Sequence, residues 1–142
     1  MPRKKIAEKT KAKIRQLAKN RCGYCLSQQE YVWDILEIDH IFPLAKGGKD
    51  DEENLWLICS SCNAAKSNKI EVFDKETESH IPLFNPRQQN WHEHFQWSKD
   101  GTKMKGKTAI GRVTILTLDL NKPRFIRVRK NWVLAGWHPP KN

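Results

Sequence analysis

The sequence lacks any long apolar run. No apolar stretch in its 142 residues approaches the length of roughly 20 residues that a helix needs to cross a bilayer. No charged segment followed by an apolar one opens the chain in the manner of a secretion signal. These absences exclude an integral membrane protein, and we expect a soluble, cytoplasmic protein with no membrane partner.

Acidic residues are few relative to basic ones. The chain carries 26 Lys and Arg against 16 Asp and Glu, which gives a net charge of +10 and a pI near 9.6. Such an excess favours a polyanionic partner, because each neutralised phosphate releases condensed counterions. The alternative is a soluble protein with an ordinary charged surface. Nucleic acid is the leading partner, and double-stranded DNA is the form that we expect.

Hydrophobic residues make up only 38% of the chain and charged residues 30%. This length and composition suit one ordinary domain, or a compact core with an appendage. The composition changes after Phe73. We therefore predict a core at residues 1–73, which begins with a basic tail at residues 1–5, and a basic, Trp-rich extension at residues 74–142 that packs on it.

Cysteine is also scarce, and the four that occur form two pairs, Cys22-Gly-Tyr-Cys25 and Cys59-Ser-Ser-Cys62. Disulfides are disfavoured in a cytosolic chain. Two CxxC pairs suit tetrahedral Zn²⁺, with each pair supplying two thiolates from a short knuckle. A thioredoxin-like redox pair is the weaker alternative, because no βαβ pattern surrounds either pair. We predict a structural zinc site.

Apolar periodicity predicts an α+β core around the second cysteine pair. A helix is expected at residues 6–20, β-like runs at 31–33 and 35–41, a loop after Phe42, a strand at 55–58, and a helix capped by Ser60 or Ser61.

The second half has weaker patterns. We expect a polar linker at 74–79, no central strand at 81–86, a hairpin of 94–97 and 102–107 around Asp100-Gly101, a helix or strand at 108–118, and a helix at 125–137. His92 and His94 would share one face of a strand. Because aromatic residues flank them, a packed aromatic cluster is the favoured interpretation, and they are left out of the site.

Four polar residues lie close together in the sequence around the second cysteine pair: Asp39, His40, Asn54 and Asn63. Phosphodiester hydrolysis needs an activated water and a Lewis acid, and a neutral imidazole can take the water's proton. Carboxylate and amide oxygens suit a hard cation such as Mg²⁺. Each residue also has a structural explanation: a hydrogen-bonded strand histidine, a turn former, a strand-end cap or a helix cap. Their joint occurrence favours a catalytic site.

The runs CGYC, EIDHIFPLAKGG and ENLWLICSSCNAAK resemble the HNH endonuclease family, in its zinc-containing four-cysteine form. The resemblance implies a ββα-metal fold, here with a C-terminal hairpin and helical extension. It implies that His40 is the general base, that Asp39 and Asn63 hold a catalytic Mg²⁺ or Mn²⁺, and that Asn54 holds the loop that orients His40. Because Asn stands at the third motif position, the site is an HNN variant.

The resulting hypothesis is a metal-dependent DNA endonuclease. The alternative is a zinc-stabilised nucleic-acid-binding module without catalysis. Lys66 matches a family position near phosphate, and Arg127 and Arg129 are candidate nucleic-acid contacts in the basic extension.

Overall fold

The fold was analysed in a computed structural model that describes residues 6–141. The basic tail expected at residues 1–5 lies outside the described residues. Within the described part of the chain, no helix is both long and apolar enough to span a membrane.

Short helices alternate with antiparallel two-stranded sheets, so the protein is α+β. The helices are α1 (Glu8–Leu17), α2 (Ser60–Lys66), α3 (Trp91–His94), α4 (Ala109–Leu118) and α5 (Pro123–Ala135). The strands are β1 (Glu37–His40), β2 (Leu55–Ile58), β3 (Glu71–Asp74), β4 (Ser79–Pro82), β5 (Phe95–Trp97) and β6 (Met104–Gly106).

The predicted strand, long loop, strand and helix form a ββα unit. In the sheet, β1 and β2 run antiparallel, and the register sets Asp39 opposite Trp56 and His40 opposite Leu55. The α2 helix follows directly, but its cap is Cys59 and not a serine, because the Cys59 sulfur accepts a hydrogen bond from the Cys62 amide at 3.4 Å. A residue predicted only as a metal ligand therefore also starts the helix.

The first cysteine knuckle packs against strand β2 of this unit. The Gly23 amide donates to the Leu57 carbonyl at 2.9 Å. A side chain at position 23 would collide with the indole of Trp56 and with Pro86, so only glycine permits this close approach. The predicted helix at residues 6–20 is confirmed as α1, which leads into the knuckle and buries Ile14.

Two predictions for short segments are wrong. Residues 31–33 do not form a strand: a 3₁₀ turn covers Gln29–Tyr31, Trp33 is fully exposed, and no strand within residues 6–141 pairs with this segment. Residues 74–79 are not a linker, because Asp74 and Ser79 pair at the ends of β3 and β4 and residues 75–78 form the turn between them. There Asp74 accepts hydrogen bonds from Thr77, so the polar residues close a turn.

Two further elements of the extension follow the expected pattern, and one does not. The hairpin around Asp100-Gly101 forms from β5 and β6, and residues 108–118 become helix α4, which Thr108 caps by accepting from the Gly111 amide. The β-branched run is helical here because this cap and the packing of α4 against β6 outweigh its weak strand preference. His92 and His94 lie on the single-turn helix α3, not on a strand, and they pack in an aromatic cluster with Trp91 and Phe84.

The main hydrophobic core crosses the predicted boundary at residue 73. It joins both cysteine knuckles to buried side chains of the extension: Phe84, Trp91, Phe95, Met104, Val113 and Leu118. The boundary also falls inside β3, which pairs with β4. The ββα unit therefore relies on the extension for much of its burial.

A chain truncated after Phe73 should fail to fold even with zinc present. Truncation exposes the buried faces of Tyr24, Ile58 and Cys62, and burial of one large apolar side chain contributes about 1.5–3 kcal/mol. Circular dichroism and dispersion of amide resonances, compared with the full chain at equal zinc, measure the effect. A cooperatively folded fragment would contradict the shared core.

Candidate active site and metal centre

The four cysteines form one compact cluster. Their sulfurs all lie within 4.8 Å of one another, and the Cys25 and Cys59 sulfurs are 3.7 Å apart. Tetrahedral zinc with Zn–S bonds of about 2.3 Å places its sulfurs about 3.8 Å apart. No disulfide links the thiols. The cluster can hold a metal, and its geometry is consistent with zinc.

Electrostatics favour a cation at the cluster's centre. Hydrogen bonds from neighbouring thiols lower the pKa of Cys25 well below its usual range. Burial raises the pKa of Cys22, and hydrogen bonds to the other thiols raise that of Cys62. Four thiolates at this separation repel one another, so a buried divalent cation is the partner that allows all four to ionise.

At the end of β1, Asp39 faces α2. Its carboxylate lies 3.1 Å from the Lys66 ammonium, which also donates to the His40 carbonyl at 3.2 Å. Asp39 is 8% exposed and Lys66 only 2%. Burial raises the pKa of the Asp39 carboxyl, and the charge of Lys66 opposes that rise. The lysine therefore holds the carboxylate charged in a largely dry site.

His40 comes next along the chain and turns to the β1–β2 loop. Its Nε2 lies 2.7 Å from Asp50 Oδ1. Two acidic residues of this loop pair with basic side chains. Asp50 contacts His40, and Glu52 pairs with Lys13 at 2.8 Å. An imidazole held by a carboxylate has a defined orientation.

Asn54 closes the loop that carries Asp50. Its side-chain oxygen accepts from the Phe42 amide at 2.8 Å, and its nitrogen donates to the Phe42 and Lys49 carbonyls at 3.0 and 2.8 Å. One amide thereby joins the end of β1 to the residue before Asp50. These contacts close the loop, and the role that the resemblance implied for Asn54 in orienting His40 stays a prediction.

Asn63 lies one helical turn before Lys66 on α2. Residues three apart share a helix face, and Lys66 contacts Asp39, so this face of α2 is turned toward the end of β1. The Asn63 side chain makes no hydrogen bond within residues 6–141, which leaves its oxygen available.

The structure corrects two of the three expected nucleic-acid contacts. Lys66 is tied to Asp39, and Arg129 is 3% exposed, where it donates to the Thr102 and Leu120 carbonyls. Neither cation reaches the surface. Arg127 is exposed on α5, and its role stays a prediction.

Sequence reasoning missed Asp50 as the partner of His40. The signal available was a carboxylate ten residues after the histidine, in a loop whose ends meet because β1 and β2 pair. Proximity across the loop could have been inferred from that pairing, but the choice of Asp50 over its acidic neighbours could not.

Comparison with known proteins gives one family. Residues 22–69 match the family model described as HNH endonuclease. This segment contains both cysteine pairs, the ββα unit and all four candidate catalytic positions. No curated protein and no solved structure matches the chain significantly.

The ββα unit with its flanking four-thiol cluster thus has the architecture of an HNH domain with a candidate metal centre. The match is to an HNH endonuclease domain and covers residues 22–69, about a third of the chain.

Replacing Cys25 by Ser should remove the metal and unfold the protein or lower its stability by several kcal/mol. Structural zinc contributes roughly 10 kcal/mol or more to small domains, and a serine hydroxyl is a poor replacement for a thiolate. Metal analysis and thermal unfolding measure the two effects. The control is Ser61→Ala, in the first turn of α2 and outside the thiol cluster. Unchanged stability in Cys25→Ser, with no zinc bound to either protein, would exclude a structural metal.

Proposed function

We propose that this protein is a metal-dependent endonuclease that hydrolyses phosphodiester bonds of double-stranded DNA. The observation that carries the proposal is the end of β1, where a buried carboxylate and a carboxylate-held imidazole occupy adjacent positions, Asp39 and His40. The HNH endonuclease match over the same residues supports the reaction class.

His40 is the general base. Asp50 accepts a hydrogen bond from Nε2 and so orients the imidazole, which takes the proton of the attacking water. Asp50 stabilises the imidazolium that results, and Asn54 keeps Asp50 in place by holding the loop at Lys49 and Phe42. This arrangement acts through orientation and charge, as in a histidine–carboxylate couple of a hydrolase.

Asp39 and Asn63 are the residues that would hold the catalytic Mg²⁺ or Mn²⁺. The fit rests on their chemistry in this structure: Asp39 supplies a buried carboxylate whose Oδ2 lies 3.1 Å from the Lys66 ammonium, and the Asn63 amide oxygen accepts no hydrogen bond within residues 6–141. Both are the hard oxygen ligands that these ions prefer. A bound divalent ion supplies Lewis-acid stabilisation of the phosphate and the leaving 3′ oxygen.

Zinc at the four cysteines is proposed as structural. All four thiols are used by one cluster, which leaves no open position for a substrate. The net charge of +10 supports DNA as the partner. The exposed cations of α5, among them Arg127, are proposed to contact its phosphates.

One observation favours the alternative, a zinc-stabilised nucleic-acid-binding module without catalysis. The Lys66 ammonium already neutralises Asp39, at a place where a catalytic cation would need the carboxylate. A metal ion that binds Asp39 must either share the carboxylate with the ammonium or displace it. The two functions therefore differ in whether Asp39 responds to added Mg²⁺.

Replacing His40 by Ala should lower cleavage of supercoiled plasmid by about 10²–10⁴-fold, the usual contribution of a general base. The protein should stay folded because this side chain lies outside both hydrophobic clusters. Plasmid conversion is measured with Mg²⁺ or Mn²⁺ and after removal of either ion. His80→Ala, on the exposed strand β4, is the matched control. Full activity in the His40 variant would reject this mechanism.

Replacing Lys66 by Met should destabilise the metal-free protein by about 3–5 kcal/mol, because an unpaired charge is left buried at Asp39. Added Mg²⁺ should recover part of that loss, since the ion replaces the missing positive charge. Thermal unfolding of zinc-loaded protein with and without Mg²⁺ gives the measurement.

The double variant Asp39→Asn/Lys66→Met is the control, because it removes both charges and should be insensitive to Mg²⁺. If Lys66→Met is equally insensitive, Asp39 does not bind the ion and the non-catalytic module is the better description.

A further inference from the structure

A pocket of about 420 Å³ opens beside the candidate active site, between the ββα unit and the extension. Its size lies in the range of about 300–1,000 Å³ that small ligands occupy. The polar residues that line it come from both parts of the chain: Tyr24, Asn54, Lys66, Asn85, Gln88 and Gln89. Because Lys66 contacts Asp39, the pocket shares a wall with the catalytic end of β1.

Tyr24 contributes an unexplained polar atom. The residue is 1% exposed, and its hydroxyl has no hydrogen-bond partner among the described residues. An unpaired buried hydroxyl costs about 1–3 kcal/mol, which is expected where a ligand completes the bond.

The lining charges cancel. Lys66 is neutralised by Asp39, and the second lysine of the pocket, Lys69, is offset by Glu53 on the same lining. A pocket without net charge does not select a free phosphate. It suits a neutral ligand with polar edges.

The apolar walls suit the face of a nucleobase, and the amides suit its polar edge. Phe42, 42% exposed, lies at the pocket two residues after His40, and Leu83 and Ile70 add apolar surface. Aromatic side chains stack on unpaired bases. Amide side chains read base edges because they both donate and accept hydrogen bonds.

Local hydrogen bonds fix the orientation of two of these amides, those of Asn85 and Gln89. The Asn85 oxygen accepts from the Arg87 and Gln88 amides, and the Gln89 oxygen accepts from the Asn85 amide at 2.8 Å. The side-chain nitrogens of Asn85 and Gln89 and the whole amide group of Gln88 remain unpaired within the described residues.

We infer that this pocket receives one unstacked nucleobase of the substrate strand, adjacent to the scissile phosphate. Phe42 packs on the face of the base, and Tyr24 and the amides of Asn85, Gln88 and Gln89 bond its edge. The inference rests on the proposed nuclease function and gives the extension a specificity-determining part in it.

The first experiment needs no cleavage. Thymidine, deoxyadenosine and deoxyribose 5-phosphate are each titrated into ¹⁵N-labelled, zinc-loaded protein without other divalent ions. The nucleosides should shift the side-chain amide signals of Asn85, Gln88 and Gln89, and leave that of Gln96, on the exposed face of β5, unmoved. Shifts with deoxyribose 5-phosphate alone would make this a phosphate site and overturn the inference, as would no shift with any probe.

Variants then separate ligand binding from folding. Tyr24→Phe removes only the orphan hydroxyl, so its melting temperature should be unchanged or higher while nucleoside binding weakens about fivefold, the loss of one hydrogen bond. Gln88→Ala should weaken binding to a similar extent. Tyr31→Phe and Gln96→Ala, both outside this pocket, are the controls. Wild-type affinity in both pocket variants would reject the site.

Cleavage assays distinguish this failure from failure of the proposed function. Nucleoside binding without plasmid cleavage would support the base pocket and reject the nuclease function. If Tyr24→Phe and Gln88→Ala cleave plasmid with unchanged KM and sequence preference, the nuclease function is supported and the base pocket is rejected.

Discussion

The four-thiol cluster is the constraint on which the rest of the structure depends. It joins a knuckle after α1 to the junction of β2 and α2, and these segments are far apart in the chain. Cys59 is both a cluster member and the cap of α2, so the geometry of the sulfurs sets where the helix begins. The direction of α2 then brings Lys66 to Asp39 at the end of β1. The thiol cluster and the candidate catalytic residues are thereby coupled through one helix.

The candidate active site also depends on the extension. A two-stranded sheet and a seven-residue helix bury too little apolar surface to be stable alone. Phe84 and Trp91 complete the burial of the first knuckle, and the Trp91 indole donates to the Tyr24 carbonyl at 2.9 Å. The same segment forms one wall of the pocket beside the active site. Stability and substrate contact would therefore be supplied by the same residues.

Much of the fold could be predicted because its signals are local. Strand β2 and helix α1 follow from apolar periodicity, and the β5–β6 hairpin follows from its Asp-Gly turn. The β3–β4 hairpin was missed because its turn is closed by Asp74 hydrogen bonds, which a polar composition does not reveal. The strand expected at residues 31–33 does not form because a β-prone run needs a partner strand, and no strand of the described residues pairs with it.

The sequence by itself determined the chemical types in the site: two thiol pairs, a carboxylate, an imidazole and two amides at spacings typical of one family. Only the tertiary structure decided which partner each one has. Asp50 and not its acidic neighbours holds His40, and Lys66 and Arg129 are buried ion and hydrogen-bond partners instead of surface cations. The physical reason is that burial and pairing depend on which surfaces meet in space. A charged side chain looks the same in the sequence whether it faces water or a buried carboxylate.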